Sequence, residues 1–212
     1  MAMIDDRDLM VIDPSVFVEA LAVATVVIEA ADGLITNDRL TSMTTDFEAA
    51  EIDAGHVVVV SGVVHEVVSR ISSATLSISR PRANTDDPII KPEPGSSLPV
   101  QIPTFARQTE VAQAWVFGAL GLDPEEGEGG ADATAILNPA AVGRLIAAET
   151  LSRVFRMAAT ADPTSASLAD RAVFHREQTS AVRRQTRAVL DLNGDGSADC
   201  TRRVGVAALR RG

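Results

Sequence analysis

Residues 56–79 have the sequence HVVVVSGVVHEVVSRISSATLSIS. Two-residue turns at Ser61-Gly62 and Ser72-Ser73 divide this stretch into three short runs rich in β-branched residues. It therefore predicts an antiparallel meander with strands at 56–60, 63–71 and 75–79. Residues 24–30 are also rich in β-branched residues, so they predict a further strand that ends in a turn at Asp32-Gly33.

Helical patterns lie on both sides of this β region. Asp13-Pro14 is typical of a helix start, and it predicts a short helix over about residues 14–22. Further helices are predicted over 105–121 and from Asn138-Pro139 to about residue 159. The last helix, over about 165–190, has small and β-branched residues at alternating spacings of four and three, which predicts one buried seam. The seam consists of Leu168, Ala172, His175, Thr179, Val182, Thr186 and Val189.

Together the patterns predict an α+β fold: a helical bundle core with an inserted small antiparallel β module and an extended C-terminal arm. Residues 1–12 are expected to be extended. The expected division has four parts. Residues 1–23 form an N-terminal segment and the first core helix, and residues 24–104 form the inserted β module with a Pro-rich connector. Residues 105–190 form the helical core, and residues 191–212 form a Gly/Asp turn and a C-terminal docking arm.

Charge is divided unevenly along the 212-residue chain, whose net charge is −10. Residues 1–150 hold 23 acidic and 8 basic residues, whereas residues 151–212 hold 6 acidic and 11 basic ones. The acidic part would repel DNA phosphates, which argues against a DNA-binding surface there. The basic part could contact nucleic acid or an acidic neighbouring subunit. We favour the subunit, because no aromatic residues interleave with the arginine cluster.

Several function classes lack their sequence signatures. No apolar run approaches the roughly 18 residues of a membrane span. The single cysteine, Cys200, argues against a disulfide framework and a multi-cysteine zinc site. Serine elbows and phosphate-binding glycine patterns are also missing. We therefore expect a protein that is not an enzyme and needs no cofactor. We interpret His56 and His65 as structural or surface residues, and His175 as a packed or interface residue.

One local motif resembles part of a calcium loop. Asp191, Asn193, Asp195 and Asp199 place oxygen atoms at positions 1, 3, 5 and 9 of such a loop, with glycine at position 6. The twelfth position, which should supply a carboxylate, is Arg202, and its charge repels a cation. We therefore interpret the motif as a turn without metal that ends the last helix, with calcium binding as the alternative.

Two segments together resemble a family of virion proteins. The first runs from Asp46-Phe47 through Ile52-Asp-Ala-Gly55 and the strands up to Ser79, and it is similar to small β modules of tailed-phage virion proteins. The second is an Arg-rich helix followed by Leu190-Asp-Leu-Asn-Gly-Asp-Gly196 and a short apolar arm that ends at Leu209-Arg210. This closing run resembles the C-terminus of head–tail connector (adaptor) proteins of tailed bacteriophages and gene transfer agents.

The resemblance implies a structural role at the neck of a virion. Adaptors form a ring, here expected to have twelve subunits, between the portal protein and a stopper or tail protein. The implied partners are therefore other copies of this chain, the portal and the next tail component. DNA would pass through the lumen without specific binding, and no membrane would be involved. The protein would be made in the host cytoplasm and would end in the virion.

The resemblance also implies which residues contact the portal or a neighbouring subunit. These are Arg183, Arg184, Arg187, Arg202, Arg203, Val204, Val206, Leu209, Arg210 and Arg211. Two other functions stay open. A stopper, tail terminator or baseplate component would share the β module but would not need the Arg-rich helix and arm. A calcium-dependent binding module would need the Asp191–Asp199 motif to hold metal.

Overall fold

The computed structural model describes residues 3–122 and 133–204, and these divide into two compact units. The first comprises Asp5–Ala106 and Met157–Leu168, and it contains a closed antiparallel barrel of six strands in the order β1-β2-β5-β4-β3-β6. The strands are β1 (Thr25–Thr36), β2 (Arg39–Thr41), β3 (Val57–Val60), β4 (Val63–Ser72), β5 (Thr75–Ser79) and β6 (Gly95–Thr104).

The predicted meander is confirmed as the neighbouring strands β3, β4 and β5. Val60 pairs with Val63 across a two-residue turn in which Ser61 and Gly62 both have positive φ, 50° and 79°. Two positive φ angles are the requirement of a type I′ turn, whose twist matches that of the strands it joins. The pair Ser61-Gly62 therefore sets the register of β3 and β4.

The barrel has its own hydrophobic core. Its members are Ile28, Ile35, Leu40, Phe47, Ile52, Val58, Val60, Val67, Leu76, Ile78, Val100 and Ile102. Most come from alternate strand positions, but Phe47 and Ile52 come from the segment between β2 and β3. The backbone N–H of Phe47 donates to the carbonyl of Ser73 in the β4–β5 turn, at 2.7 Å. Phe47 therefore packs at the end of the barrel where that turn lies.

The prediction of a helical bundle core with an inserted β module was wrong. The β strands close into a barrel with a core of their own, because β6 pairs with β1 as well as with β3. Strand β6 lies in the segment interpreted as a Pro-rich connector, and it contains Pro99 and Pro103. Proline argues against a central strand, but here the β1–β6 register is irregular at several points and accommodates it.

Two short helices precede the barrel in the chain. Helix α1 (Asp6–Ile12) begins with a capping box in which the side chains of Asp5 and Asp8 each accept a hydrogen bond from the other residue's backbone N–H. Residues 1–12 were expected to be extended, so that prediction was wrong for α1. Helix α2 (Val16–Glu19) and a 3₁₀ turn, Leu21–Val23, form in place of the single helix predicted over 14–22.

The second unit comprises the described residues of Met1–Ile4, Arg107–Arg156 and Ala169–Gly212. The helices in this later part of the chain are α3 (Ala106–Leu120), α4 (Pro139–Ala161) and α5 (Ala166–Gln185). A two-stranded sheet follows, with β7 (Arg187–Leu190) antiparallel to β8 (Cys200–Arg203). No helix in the described ranges is long and apolar enough to cross a membrane.

The predicted seam of the last helix is confirmed for the residues that lie within α5. His175 and Thr179 are buried, at 3% and 4% exposure, and Leu168, about two and three turns before them, is buried as well. The helix ends at Gln185 and not near residue 190, because residues 187–190 form β7. Residues 200–203 pair with β7 as β8, so a strand begins three residues before the short terminal strand or extended arm expected over 203–209. The rest of the arm, 205–212, lies outside the described residues.

We expect Asp32 to make the segment after β2 sensitive to acid. Its carboxylate accepts hydrogen bonds from the Ser42 hydroxyl at 2.6 Å, the Met43 N–H, and the Thr44 hydroxyl and N–H. These bonds, with that of Ser42 the strongest, lower the pKa of Asp32 from 3.8 to about 2. The carboxylate therefore stabilises the fold fully above pH 3.8, and this contribution is lost as the pH falls towards 2.

Carbon-13 titration of the Asp32 carboxyl should give this low pKa. An Asp32→Asn variant should be less stable than the parent at pH 7 and approach the parent's stability near pH 2. A carboxyl that titrates near 3.8 would show that the hydrogen bonds do not persist in solution.

Candidate assembly surface

Arg183 is held inside the helical unit. Its guanidinium carbon lies 4.4 Å from the centre of the Trp115 ring, a cation–π distance. Its Nη2 donates to Glu149 Oε2 at 3.2 Å, and Glu149 also pairs with Arg153 at 3.0 Å. The Arg183 guanidinium therefore makes its contacts within this unit, whereas the sequence predicted that it would lie at an intermolecular interface.

Arg202 and Val204 also make internal contacts. The Arg202 guanidinium donates to the backbone carbonyl of Leu120 and lies 3.4 Å from that of Gly121. These carbonyls belong to the C-terminal end of α3, where a cation is favourable because the last carbonyls lack helical partners. Val204 is only 4% exposed. The structure therefore assigns both residues to the packing of this unit.

Arg187 and Arg203 instead point to solvent. They are directly opposite each other in the β7–β8 register, so their side chains project from the same face of the sheet. Both are exposed, and neither side chain makes a hydrogen bond or ion pair within the described parts of the chain. Like charges in opposite positions destabilise a strand pair. A negatively charged partner would remove that repulsion.

Arg184 adds a third exposed positive charge, close to Arg187 in the chain. It lies in the last turn of α5, three residues before Arg187, and its side chain has no ion pair with any residue that the structure describes. The helix dipole favours a cation at this position. We define the arginine edge as Arg184, Arg187, Arg203 and the outer edge of β8.

The outer edge of β8 is open within residues 3–122 and 133–204. Strand β7 lies between two partners: β8 on one side, and on the other the segment around Ile136, which forms a bridge with Leu190. Leu137 N–H donates to the Val189 carbonyl at 2.9 Å on that second side. Strand β8 has β7 as its sole strand partner among these residues, so its outer N–H and C=O groups could pair with a strand of another molecule.

The barrel unit carries the opposite charge. Asp5–Ala106 and Met157–Leu168 hold 17 acidic and 6 basic residues, a net charge of −11. Residues 169–204 hold 5 acidic and 7 basic residues, a net charge of +2. The chain thus contains an acidic unit and a separate segment in which three arginines have no ion pair with any residue of the described ranges.

The Asp191–Asp199 motif forms the connection between β7 and β8. The Asp191 carboxylate accepts from the N–H groups of Gly196 and Gly194, both at 2.7 Å, and these bonds lower its pKa. Asp199 accepts from the N–H groups of Leu192 and Asn193, at 2.7 and 3.1 Å. In the described residues, no three His, Cys, Asp or Glu side chains are grouped so that they could hold a metal. The carboxylates organise the turn through the backbone.

The three histidines lie in different surroundings. His175 stacks on Phe155 with ring centres 4.8 Å apart, and His56 has Nδ1 3.0 Å from the carbonyl of Asp53. His65 is different, because it lies opposite Val58 and so faces the inside of the barrel. The sequence does contain a signal for this inward position, because Val63, His65 and Val67 occupy every second position of one strand and so share a face. Sequence reasoning did not use it.

The remaining predicted interface residues, Val206, Leu209, Arg210 and Arg211, lie outside the described residues. Of the six that are described, Arg184, Arg187 and Arg203 are available for an intermolecular contact, whereas Arg183, Arg202 and Val204 are engaged internally. The chain matches no protein-family model, no curated protein and no solved structure. A functional inference therefore rests on the contacts described above.

Proposed function

We propose that the protein is a structural subunit of a tailed-phage or gene-transfer-agent virion, a head–tail adaptor that assembles into a ring between the portal and the tail. The observation that carries this proposal is the arginine edge, where Arg187 and Arg203 face each other with no counter-charge from any residue that the structure describes. The barrel unit of the same chain has a net charge of −11. The Arg-rich closing run and its resemblance to adaptor C-termini support the same role.

The physical basis for ring formation is a contact between unlike surfaces. If the arginine edge of one copy meets the acidic barrel unit of the next, each copy uses two different surfaces, and the contact can repeat from copy to copy. Such heterologous contacts close into rings when the rotation between copies allows it. Complementary charge sets the register and speeds association. The open edge of β8 could add main-chain hydrogen bonds.

This role does not require a ring wall made of helices, which was the architecture implied by the resemblance. The closed barrel is a rigid body with its own core, and it could serve as a building block of the ring. The barrel also favours a second candidate, a stopper, tail terminator or baseplate component, because proteins of that class would share the β module and would not need the Arg-rich helix and arm. Binding to a portal ring would support the adaptor, and binding to a tail protein would support the second candidate.

Reversing the charge of the arginine edge should prevent assembly. We expect the parent protein to form a discrete oligomer, alone or on a portal ring, and the oligomer to weaken as salt screens the charges. The double variant Arg187→Glu, Arg203→Glu should associate at least tenfold more weakly, because like charges would then meet across the interface. Native mass spectrometry at low and high ionic strength measures this.

Arg176→Glu is the matched control, since Arg176 is an exposed arginine of α5 away from the β7–β8 sheet. It changes a charge of the same kind and should leave assembly unchanged. A parent that stays monomeric with and without portal rings would contradict the proposed role. Binding of double-stranded DNA that the double variant abolishes would assign the arginine edge to nucleic acid instead.

A further inference from the structure

One end of the barrel is open. A pocket of about 140 Å³ lies beside the β3–β4 turn, and its lining includes Ile35, Val60, Val63, His65, Arg80 and Leu98. The opposite end of β4 lies at the β4–β5 turn, where Phe47 packs. The two ends of the barrel therefore differ: one is filled by an aromatic side chain, and the other forms a cavity at the mouth, a common location for ligand sites in barrels.

His65 is the deepest polar side chain of this pocket. It is 3% exposed, and its Nδ1 lies 2.9 Å from the backbone carbonyl of Val63. A carbonyl oxygen can only accept, so Nδ1 carries the hydrogen and the neutral ring presents a lone pair at Nε2. Burial lowers the pKa of His65, which keeps the ring neutral at pH 7. Nε2 has no hydrogen-bond partner in the part of the chain that the structure describes.

The remainder of the pocket is mostly apolar. Ile35 and Val60 are almost fully buried, at 3% and 2% exposure, and belong to the barrel core. The charged residues, Arg80 and Glu93, pair with each other at 2.9 Å, and their side chains are 44% and 86% exposed. They neutralise each other at the rim and leave no isolated charge for a ligand to match. The lining therefore suits an uncharged apolar ligand with one hydrogen-bond donor.

We propose that the mouth of the barrel binds a small uncharged aromatic ring bearing one O–H or N–H group, such as a phenol, with that group donating to His65 Nε2 and the ring packing between Val60 and Leu98. A cavity of about 150 Å³ accommodates benzene, so the size fits one ring. His65 Nε2 lacks a partner among the described residues and faces the pocket, so a ligand's donor can form a hydrogen bond with it. This site is separate from the arginine edge and independent of the proposed virion role.

Titrations of the full chain with phenol, anisole and toluene test the site, because the three rings differ mainly in the donor. NMR shifts of residues at the barrel mouth should report binding of phenol about twofold to tenfold tighter than binding of toluene or anisole. The Nε2 nitrogen-15 resonance of His65 should shift with phenol alone. An unliganded His65 that carries its hydrogen on Nε2 would overturn the inference.

Two variants separate the donor contact from the cavity. His65→Leu should bind toluene and lose the preference for phenol, whereas Val63→Phe should narrow the entrance at a half-exposed rim position and weaken all three rings. If His65→Leu does not fold, the His65 nitrogen-15 shift in the parent still decides the contact. Equal affinity for phenol and toluene in the parent, or no shifts at the barrel mouth with any ring, would overturn the inference.

Discussion

Replacing Glu66 with Gln is expected to lower the free energy of unfolding by about 3 to 5 kcal/mol. Glu66 is fully buried on β4, and its two carboxylate oxygens pair with two different arginines. Arg7 Nε lies 2.6 Å from Oε2, and Arg82 Nε donates to Oε1. Gln has nearly the same shape as Glu, so the loss would come from leaving two largely buried guanidinium groups without their counter-charge, not from a cavity.

The effect should be large because the Glu66 cluster joins three segments of the barrel unit. Arg7 lies on α1, and its Nη2 donates to the Arg82 carbonyl at 3.2 Å. Arg82 follows β5, and its Nη1 donates to the carbonyls of Thr85 and Asp87, at 3.0 and 2.6 Å. The Arg82 side chain is 5% exposed and that of Arg7 is 12% exposed, so water cannot readily replace the lost carboxylate.

Urea unfolding of Glu66→Gln and Glu93→Gln side by side measures the difference between a buried and an exposed ion pair. Glu93 pairs with Arg80, but its side chain is 86% exposed. Its substitution should cost no more than about 1 kcal/mol. Equal losses in the two variants would contradict the structural role assigned to the buried cluster.

The β meander could be predicted from the sequence because its signals are local. Each of its turns joins strands that are neighbours in the chain, so two-residue turn signals and alternation are sufficient. Closure of the barrel depends on pairing between β1 and β6, for example Thr25 with Thr104, which no local pattern displays. Without that pairing, the β region looked like an insertion into a helical core.

Gly33 shows how a local signal misled the prediction. Asp32-Gly33 was interpreted as a turn, but β1 continues to Thr36, and the chain turns at Asn37, where φ is 58°. A Cβ atom at Gly33 would lie 2.5 Å from Val100 Cγ2 and 2.9 Å from the Leu98 carbonyl. Glycine is therefore required here for close approach of β6, and a glycine in a strand often marks such an approach.

The arginines of the candidate surface could be named from the sequence, but their orientation could not. Arg183 packs on Trp115 and Arg202 reaches the end of α3, and both partners are distant in the chain. The end of α5 was missed for a similar reason. The Asn138 side chain donates to the Arg187 carbonyl and accepts from the Val189 N–H, which holds residues 187–190 as a strand.

Replacing Phe47 with Ala should also lower the free energy of unfolding by about 3 to 5 kcal/mol. Phe47 has no solvent exposure, and it packs in the barrel core together with Ile52. Removing its ring loses the transfer free energy of the side chain and leaves a cavity that the surrounding strands can fill only partly. Strand pairing resists collapse, so we expect a value towards the upper end of this range.

Met43→Ala is the matched control, since Met43 lies in the same segment and is 83% exposed. Its backbone N–H still donates to Asp32 after the substitution, so the change should stay within about 0.5 kcal/mol. Denaturant unfolding of both variants measures the contrast. If Phe47→Ala costs no more than Met43→Ala, the aromatic ring does not close this end of the barrel. A loss in the expected range shows that the Phe47 ring fills this end of the barrel core and contributes to its stability.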